Sequence, residues 1–300
     1  MPLQVTVDIF SGRPNPVITL ADDEARPILE RLASETGAPF TRAVSPPRPR
    51  LGYRGLIVEQ VSKNPEPTVP STFRLAAGEV IASNLMVRPT DPELEEYVLD
   101  PTGPIGGPKM GTEIAGFCLM EARRLRTLKR LGPLHPKRST AALMLSINAA
   151  GCENAPVFEP EWWNDGGQKQ LSNNCYNYST NYRTDTFAQP GRGTGLAITA
   201  LSCAVVKPLA MADGLIESPW TPNQCPLFGH LVALVVAPGF DFHWYRKGWG
   251  GLWTHKIGIG VANAVDNSDN LIADPREADR GPYVSFCGFM VVNHGHIKLR

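Results

Sequence analysis

The residues best suited to chemistry are centred on Cys175, in the run Asn-Asn-Cys-Tyr-Asn-Tyr at 173–178. Ser172 and Asn173 are residue types that favour a helix start, and the residues that follow have the composition of a short helix. Cys175 would then lie in the first turn, where free backbone N–H groups and the helix dipole stabilise a thiolate and bind an oxyanion. This predicts Cys175 as a nucleophile, with Asn173 and Asn174 as oxyanion or substrate contacts. The alternative is a buried cysteine that acts as a small apolar side chain.

Two histidines lie in a second run, 229–246, which predicts two antiparallel strands joined by a Pro-Gly turn. His230 begins the first strand and His243 lies on the second, so we expect the turn to bring the two imidazoles to neighbouring positions. A cysteine nucleophile needs one imidazole to accept the thiol proton and a third polar group to hold that imidazole's tautomer. We therefore expect His230 as the base and His243 as the orienting group. Asp241 and His255 are alternatives for the orienting group, and His243 could equally be a structural strand histidine.

This order of a cysteine at a helix start, a histidine that opens a strand and a polar residue in the next strand resembles the papain-like fold, in particular the NlpC-type cell-wall peptidases. The resemblance covers residues 150–300. It implies an α+β fold in which a helix-borne Cys175 packs on an antiparallel sheet. It also implies a cysteine hydrolase that cleaves an amide bond in a peptide or peptidoglycan-type substrate through a Cys-His-His or Cys-His-Asp triad. The phrases at 10–16 and 174–178 are also similar to uncharacterised bacterial proteins, which supplies no function.

Four aromatic side chains lie within ten residues of one another: Trp244, Tyr245, Trp249 and Trp253. They could form a stacking wall for a peptide or sugar, with Trp244 and Trp253 as substrate contacts, or they could be core. A second hypothesis, from a different class, is a non-enzymatic binding or interaction protein. In that case Cys175 is buried and the aromatic run 244–253 contacts a partner.

The first half has a different character, because neither histidine nor cysteine occurs before Cys118. Residues 3–9 alternate with the period of a strand, 17–20 complete a hairpin, and a helix follows from Asp22 or Asp23. Further strands are predicted at 54–59 and 72–75, and Thr90-Asp91-Pro92-Glu93 predicts a helix start.

The segment that connects the two halves is predicted from its content of glycine, proline and charged residues. Residues 103–111 indicate a linker, 112–131 a helix with one basic face, and 133–140 a boundary. The sequence therefore predicts an α+β accessory unit over 1–100, a linker and connecting helix over 101–140, and a papain-like catalytic domain over 141–300.

Composition excludes several partners. Basic and acidic residues number 29 each, so charge steers the chain toward neither nucleic acid nor a membrane. No apolar stretch could span a bilayer and no secretory leader is visible, so we expect a soluble protein and favour a cytoplasmic location. The six cysteines form no CxxC pair, so no metal and no cofactor are expected, and oligomeric state is not indicated. The glycosylation sequon Asn177-Tyr178-Ser179 is common by chance and carries no weight.

Overall fold

The computed structural model describes residues 1–35, 38–43, 49–62, 64–82, 86–131, 151–218 and 223–300. The chain divides into two compact units. Unit 1 comprises Met1–Ile9, Asn15–Arg48 and Gly52–Leu134, and unit 2 comprises Phe10–Pro14, Pro49–Leu51 and His135–Arg300. The predicted boundary at 133–140 lies outside the described residues, and the division into 1–100, 101–140 and 141–300 stays a prediction.

In the described part of unit 1, seven strands form one antiparallel sheet in the order β2-β1-β4-β5-β6-β7-β3. The strands are β1 Leu3–Asp8, β2 Val17–Leu20, β3 Thr41–Arg42, β4 Gly55–Gln60, β5 Thr72–Ala76, β6 Glu79–Ala82 and β7 Met86–Pro89. Strand β1 alternates because Leu3, Val5 and Val7 are buried on one face. The predicted hairpin is confirmed, since β1 pairs antiparallel with β2.

Helices complete unit 1: α1 Asp22–Ser34, α2 Pro92–Leu99, α3 Gly106–Met110 and α4 Thr112–Leu131. Helix α2 starts where predicted, because the Asp91 side chain accepts a hydrogen bond from the Glu93 N–H at 2.9 Å. The predicted helix at 112–131 is confirmed as α4. The predicted linker at 103–111 is wrong in part, because α3 forms there. A Cβ on Gly106 would lie 2.4 Å from the Asp100 carbonyl oxygen, so glycine permits this close packing.

Unit 2 is built on a second antiparallel sheet, with the described strands in the order β12-β11-β10-β9-β13-β8. The strands are β8 Ile216–Glu217, β9 His230–Ala237, β10 Asp241–Lys247, β11 Trp253–Lys256, β12 Ala262–Asn263 and β13 Ser285–Val292. The predicted strand pair at 229–246 is confirmed as β9 and β10. Strand β9 is buried along its whole length, because its alternate side chains enter two different apolar clusters.

The helices of unit 2 are α5 Gln168–Ser172, α6 Cys175–Thr180 and α7 Cys203–Ala212, with single 3-10 turns at Pro160–Trp162 and Arg192–Thr194. Helix α6 packs on β10 and β11. The predicted α+β class is therefore confirmed at the level of mixed helices and two antiparallel sheets. Among the described residues, no helix has both the length and the apolar character needed to cross a membrane.

Candidate functional site

The asparagines around Cys175 hold the start of helix α6. Asn174 is the cap, and its side-chain oxygen accepts hydrogen bonds from the Tyr176 and Asn177 N–H groups at 3.0 and 3.1 Å. Asn177 returns the contact by accepting from the Asn174 N–H at 3.2 Å. The side-chain amide of Asn177 also donates to the Tyr182 carbonyl and the Thr184 hydroxyl at 3.0 and 2.8 Å. The motif therefore builds a capped helix, and its cap is Asn174 rather than the predicted Ser172 or Asn173.

Neither asparagine proposed as an oxyanion contact faces an open site. Both Asn173 and Asn174 are fully buried. The Asn173 amide donates to the Lys169 carbonyl at 2.8 Å and to Asp185 at 2.6 Å. The Asn174 amide donates to the Gly12 and Ala188 carbonyls at 2.6 and 2.7 Å. These donors stabilise the fold and are occupied.

Cys175 is a buried thiol, with no exposed surface. Burial raises its pKa far above the usual range and the neighbouring Asp241 adds to the rise, whereas hydrogen bonds with the Trp244 backbone and the Ser11 side chain act in the opposite direction. The helix start that was expected to favour a thiolate is therefore outweighed by desolvation. Cys175 is protonated and inaccessible, as the alternative interpretation required.

A directed row of hydrogen bonds runs from Ser11 through two histidines of the sheet. The Ser11 hydroxyl lies 2.6 Å from His243 Nδ1, and His243 Nε2 lies 2.9 Å from His255 Nδ1. His255 Nε2 lies 3.0 Å from the Val265 carbonyl oxygen. Burial lowers the pKa of His255 to about 4, so the ring is neutral at pH 7.

The tautomers in this row follow from its last member. A carbonyl oxygen only accepts, so His255 Nε2 carries the hydrogen and His255 Nδ1 accepts from His243 Nε2. In a neutral His243 ring, Nδ1 then accepts from the Ser11 hydroxyl. His255, an alternative orienting group for His230 in the sequence, is thus hydrogen-bonded to His243.

His230 is not brought beside His243. His243 pairs with Val235 across the β9–β10 ladder, whereas His230 pairs with Val292 on β13. The His230 Nε2 atom donates to the Ser179 carbonyl at 2.7 Å, near the opposite end of α6 from Cys175. Burial lowers the pKa of His230 to about 3. The expected placement of the two imidazoles is wrong, and His230 ties a strand to the end of a helix.

Asp241 is an anchoring carboxylate. It accepts hydrogen bonds from the Ser11, Gly12 and Arg13 N–H groups at 2.6, 3.2 and 3.1 Å, and from the Tyr283 hydroxyl at 2.6 Å. Burial raises its pKa, which these hydrogen bonds oppose. Sequence reasoning missed segment 10–14 as part of this site, although its Ser-Gly-Arg-Pro run was visible.

Lys256 is a second feature that the sequence did not reveal. Its side chain is fully buried, and the ammonium donates to the carbonyl oxygens of Gln170, Asn173 and Gly258 at 2.7, 2.6 and 2.6 Å. Three carbonyls use all three donors of an ammonium group. Lys256 therefore fixes the chain just before Cys175.

Three of the four aromatic side chains in the run 244–253 are core, and the fourth, Trp249, is half-buried. Trp244, Tyr245 and Trp253 have no exposed area. Trp244 packs in the cluster that contains Cys175, and Trp253 packs on the opposite face of the sheet. The predicted roles of Trp244 and Trp253 as substrate contacts are not compatible with this burial.

Four of the six cysteines are paired, Cys152 with Cys225 and Cys203 with Cys287. Both disulfides lie in unit 2, and Cys118 and Cys175 are free and buried. Within the described ranges, no group of three His, Cys, Asp or Glu side chains is placed to hold a metal ion.

Comparisons with known proteins do not support the resemblance to peptidases. No protein-family model and no solved structure matches the chain. The chain is similar to the insoluble matrix shell protein 1 of Ruditapes philippinarum, with 45% identity over 138 residues, which cover 45% of this chain and 88% of that protein. The resemblance to papain-like and NlpC-type peptidases is therefore wrong, and so is the cysteine hydrolase with its peptide or peptidoglycan substrate. The cytoplasmic expectation is wrong as well, because a shell matrix is extracellular and two disulfides are present.

Proposed function

Because this chain belongs to the family of the insoluble matrix shell protein 1 of Ruditapes philippinarum, we propose that it is a non-enzymatic structural component of an extracellular matrix. The observation that carries the proposal is the identity of 45% over 88% of that protein's length. The buried thiol of Cys175 supports it, because a nucleophile must meet its substrate and this sulfur has no exposed surface. The two disulfides support it too, since they persist in oxidising compartments.

In the aromatic run 244–253, the two sheet tryptophans, Trp244 and Trp253, are buried, whereas Trp249 is half-buried. Unit 2 supplies the scaffold: its central strand β9 is covered on both faces, and the Cys203–Cys287 disulfide joins helix α7 to strand β13.

Sequential extraction of the source tissue tests the proposal. With an antibody against this chain, we expect the protein in the extracellular residue that remains after salt and detergent, and recovery in the soluble cytosol would contradict the proposal. A recombinant Cys175→Ser chain provides the matched control, because a structural protein should associate with that residue equally well with either side chain. Peptide or amide hydrolysis by the native chain that Cys175→Ser abolishes would restore the enzyme hypothesis.

A further inference from the structure

Unit 2 contains a recess that holds the short segment Phe10–Pro14, and the segment is distant in sequence from the rest of the unit. We define the recess by Asn174, Gln189, Asp241, Phe242 and His243. The Asp241 carboxylate accepts three successive N–H groups, those of Ser11, Gly12 and Arg13. Successive backbone N–H groups commonly bind an anion in this way. Here the anion is the Asp241 carboxylate of the recess, and the N–H groups belong to the bound segment.

The recess also recognises the carbonyl and the size of Gly12. The side-chain amides of Asn174 and Gln189 both donate to the Gly12 carbonyl, at 2.6 and 2.7 Å. A Cβ at position 12 would lie 2.4 Å from the Phe242 carbonyl oxygen and 2.5 Å from its ring. The middle residue must therefore be glycine.

The residues on either side of Gly12 are recognised by their side chains. The Ser11 hydroxyl is hydrogen-bonded to His243 Nδ1 at 2.6 Å, and the Arg13 guanidinium donates to the Phe240 carbonyl at 3.1 Å. That guanidinium also stacks over the Phe10 ring at 4.4 Å. Each of the three residues Ser-Gly-Arg thus has its own determinant, which is the pattern of a sequence-specific peptide site.

We propose that this recess is a peptide-recognition site for an extended Phe-Ser-Gly-Arg-Pro segment, and that it accepts residues 10–14 from a second copy of this chain as well as its own. Contacts made between copies would be chemically identical to those within one copy, so only the effective concentration decides between them. A crowded, insoluble assembly favours the contacts between copies. The exchange therefore rests on the proposed matrix function and gives it a means of cross-bridging.

A full-length Gly12→Val chain tests recognition, because its own segment cannot dock. We titrate it with a fluorescein-labelled Phe-Ser-Gly-Arg-Pro peptide and follow anisotropy. We expect saturable binding, and at least about tenfold weaker binding of the matched Phe-Ser-Val-Arg-Pro peptide. Tryptophan fluorescence checks that the variant is folded. If it is not, Gly12→Ala takes its place, because its smaller side chain still brings a Cβ to 2.4 Å from the Phe242 carbonyl oxygen. Equal affinity for the two peptides, or no binding by a folded variant, overturns the recognition site.

Sedimentation of the wild-type chain over a rising concentration series tests exchange. We expect association that excess Phe-Ser-Gly-Arg-Pro peptide reverses and that Gly12→Val abolishes. A chain that stays monomeric, or association that neither peptide nor substitution changes, overturns exchange between copies. These results are independent of the tissue extraction, so a chain found in the extracellular residue without peptide binding would refute this inference and leave the matrix function standing.

Discussion

Removal of either disulfide should destabilise unit 2 strongly. The cross-links close loops of 73 residues between Cys152 and Cys225 and 84 residues between Cys203 and Cys287. In the chain-entropy description, a loop of that size restricts the unfolded chain by about 4 to 5 kcal/mol. Typical domains are stable by only about 5 to 15 kcal/mol, so each bond accounts for a large share of the free energy of unfolding.

The measurement is urea unfolding followed by tryptophan fluorescence, since all six tryptophans lie between positions 162 and 253 and report on unit 2. We compare the wild type with two double variants, Cys152→Ser/Cys225→Ser and Cys203→Ser/Cys287→Ser. The four-serine chain should match the wild type in reductant, which controls for the serine side chains. A double variant that loses less than about 1 kcal/mol would refute the reasoning, because that is the size of an ordinary surface change.

Three further substitutions have signs that follow from burial. Burial raises the pKa of Glu95 from 4.5 to about 7, so the stability that this residue contributes below pH 4.5 is lost as pH rises through 7. Glu95→Gln should therefore be more stable than the wild type by up to about 3 kcal/mol at pH 8.5, and as stable as the wild type at pH 4.5. Hydrogen exchange of unit 1 amides measures this difference. Burial lowers the pKa of His255 from 6.5 to about 4, so the stability that the neutral ring contributes is present above pH 6.5 and is lost as pH falls through 4. His255→Gln should therefore reduce the loss of unit 2 unfolding free energy in acid by up to about 3 kcal/mol. An unchanged dependence on pH would contradict this. Lys256→Met leaves three carbonyls without a donor and should cost about 3 kcal/mol in urea unfolding, against no measurable change for the exposed Lys298→Met.

Local periodicity predicted much of the fold. The alternation in β1, the basic helix α4 and the apolar strand β9 each carry their own pattern, because one face or both faces of each element are buried. The predicted placement of His230 beside His243 was wrong, although the distance of each residue from the turn already argued against it. Residues that pair in a hairpin are equally distant from its turn, and His230 is much further from the Pro-Gly turn than His243.

The contacts that close the site could not be read from the sequence. Ser11 reaches Asp241 across 230 positions, and a single serine and a single aspartate carry no pattern that links them. Lys256 resembles an ordinary strand lysine until the carbonyls around it are known. Cys175 at a helix start was a correct local prediction, but its reactivity depends on burial by distant segments, which periodicity does not encode.

The two hydrogen bonds donated by the Asn177 side chain bear on how the chain is made. In a eukaryotic secretory pathway, Asn177-Tyr178-Ser179 would be presented to the oligosaccharide transferase while the chain is still emerging and unfolded. A glycan on that nitrogen would leave only one hydrogen for the Tyr182 carbonyl and the Thr184 hydroxyl, and it would place a bulky sugar in a fully buried position. Glycosylation and native folding at this residue exclude each other, so a natively folded chain carries an unmodified Asn177.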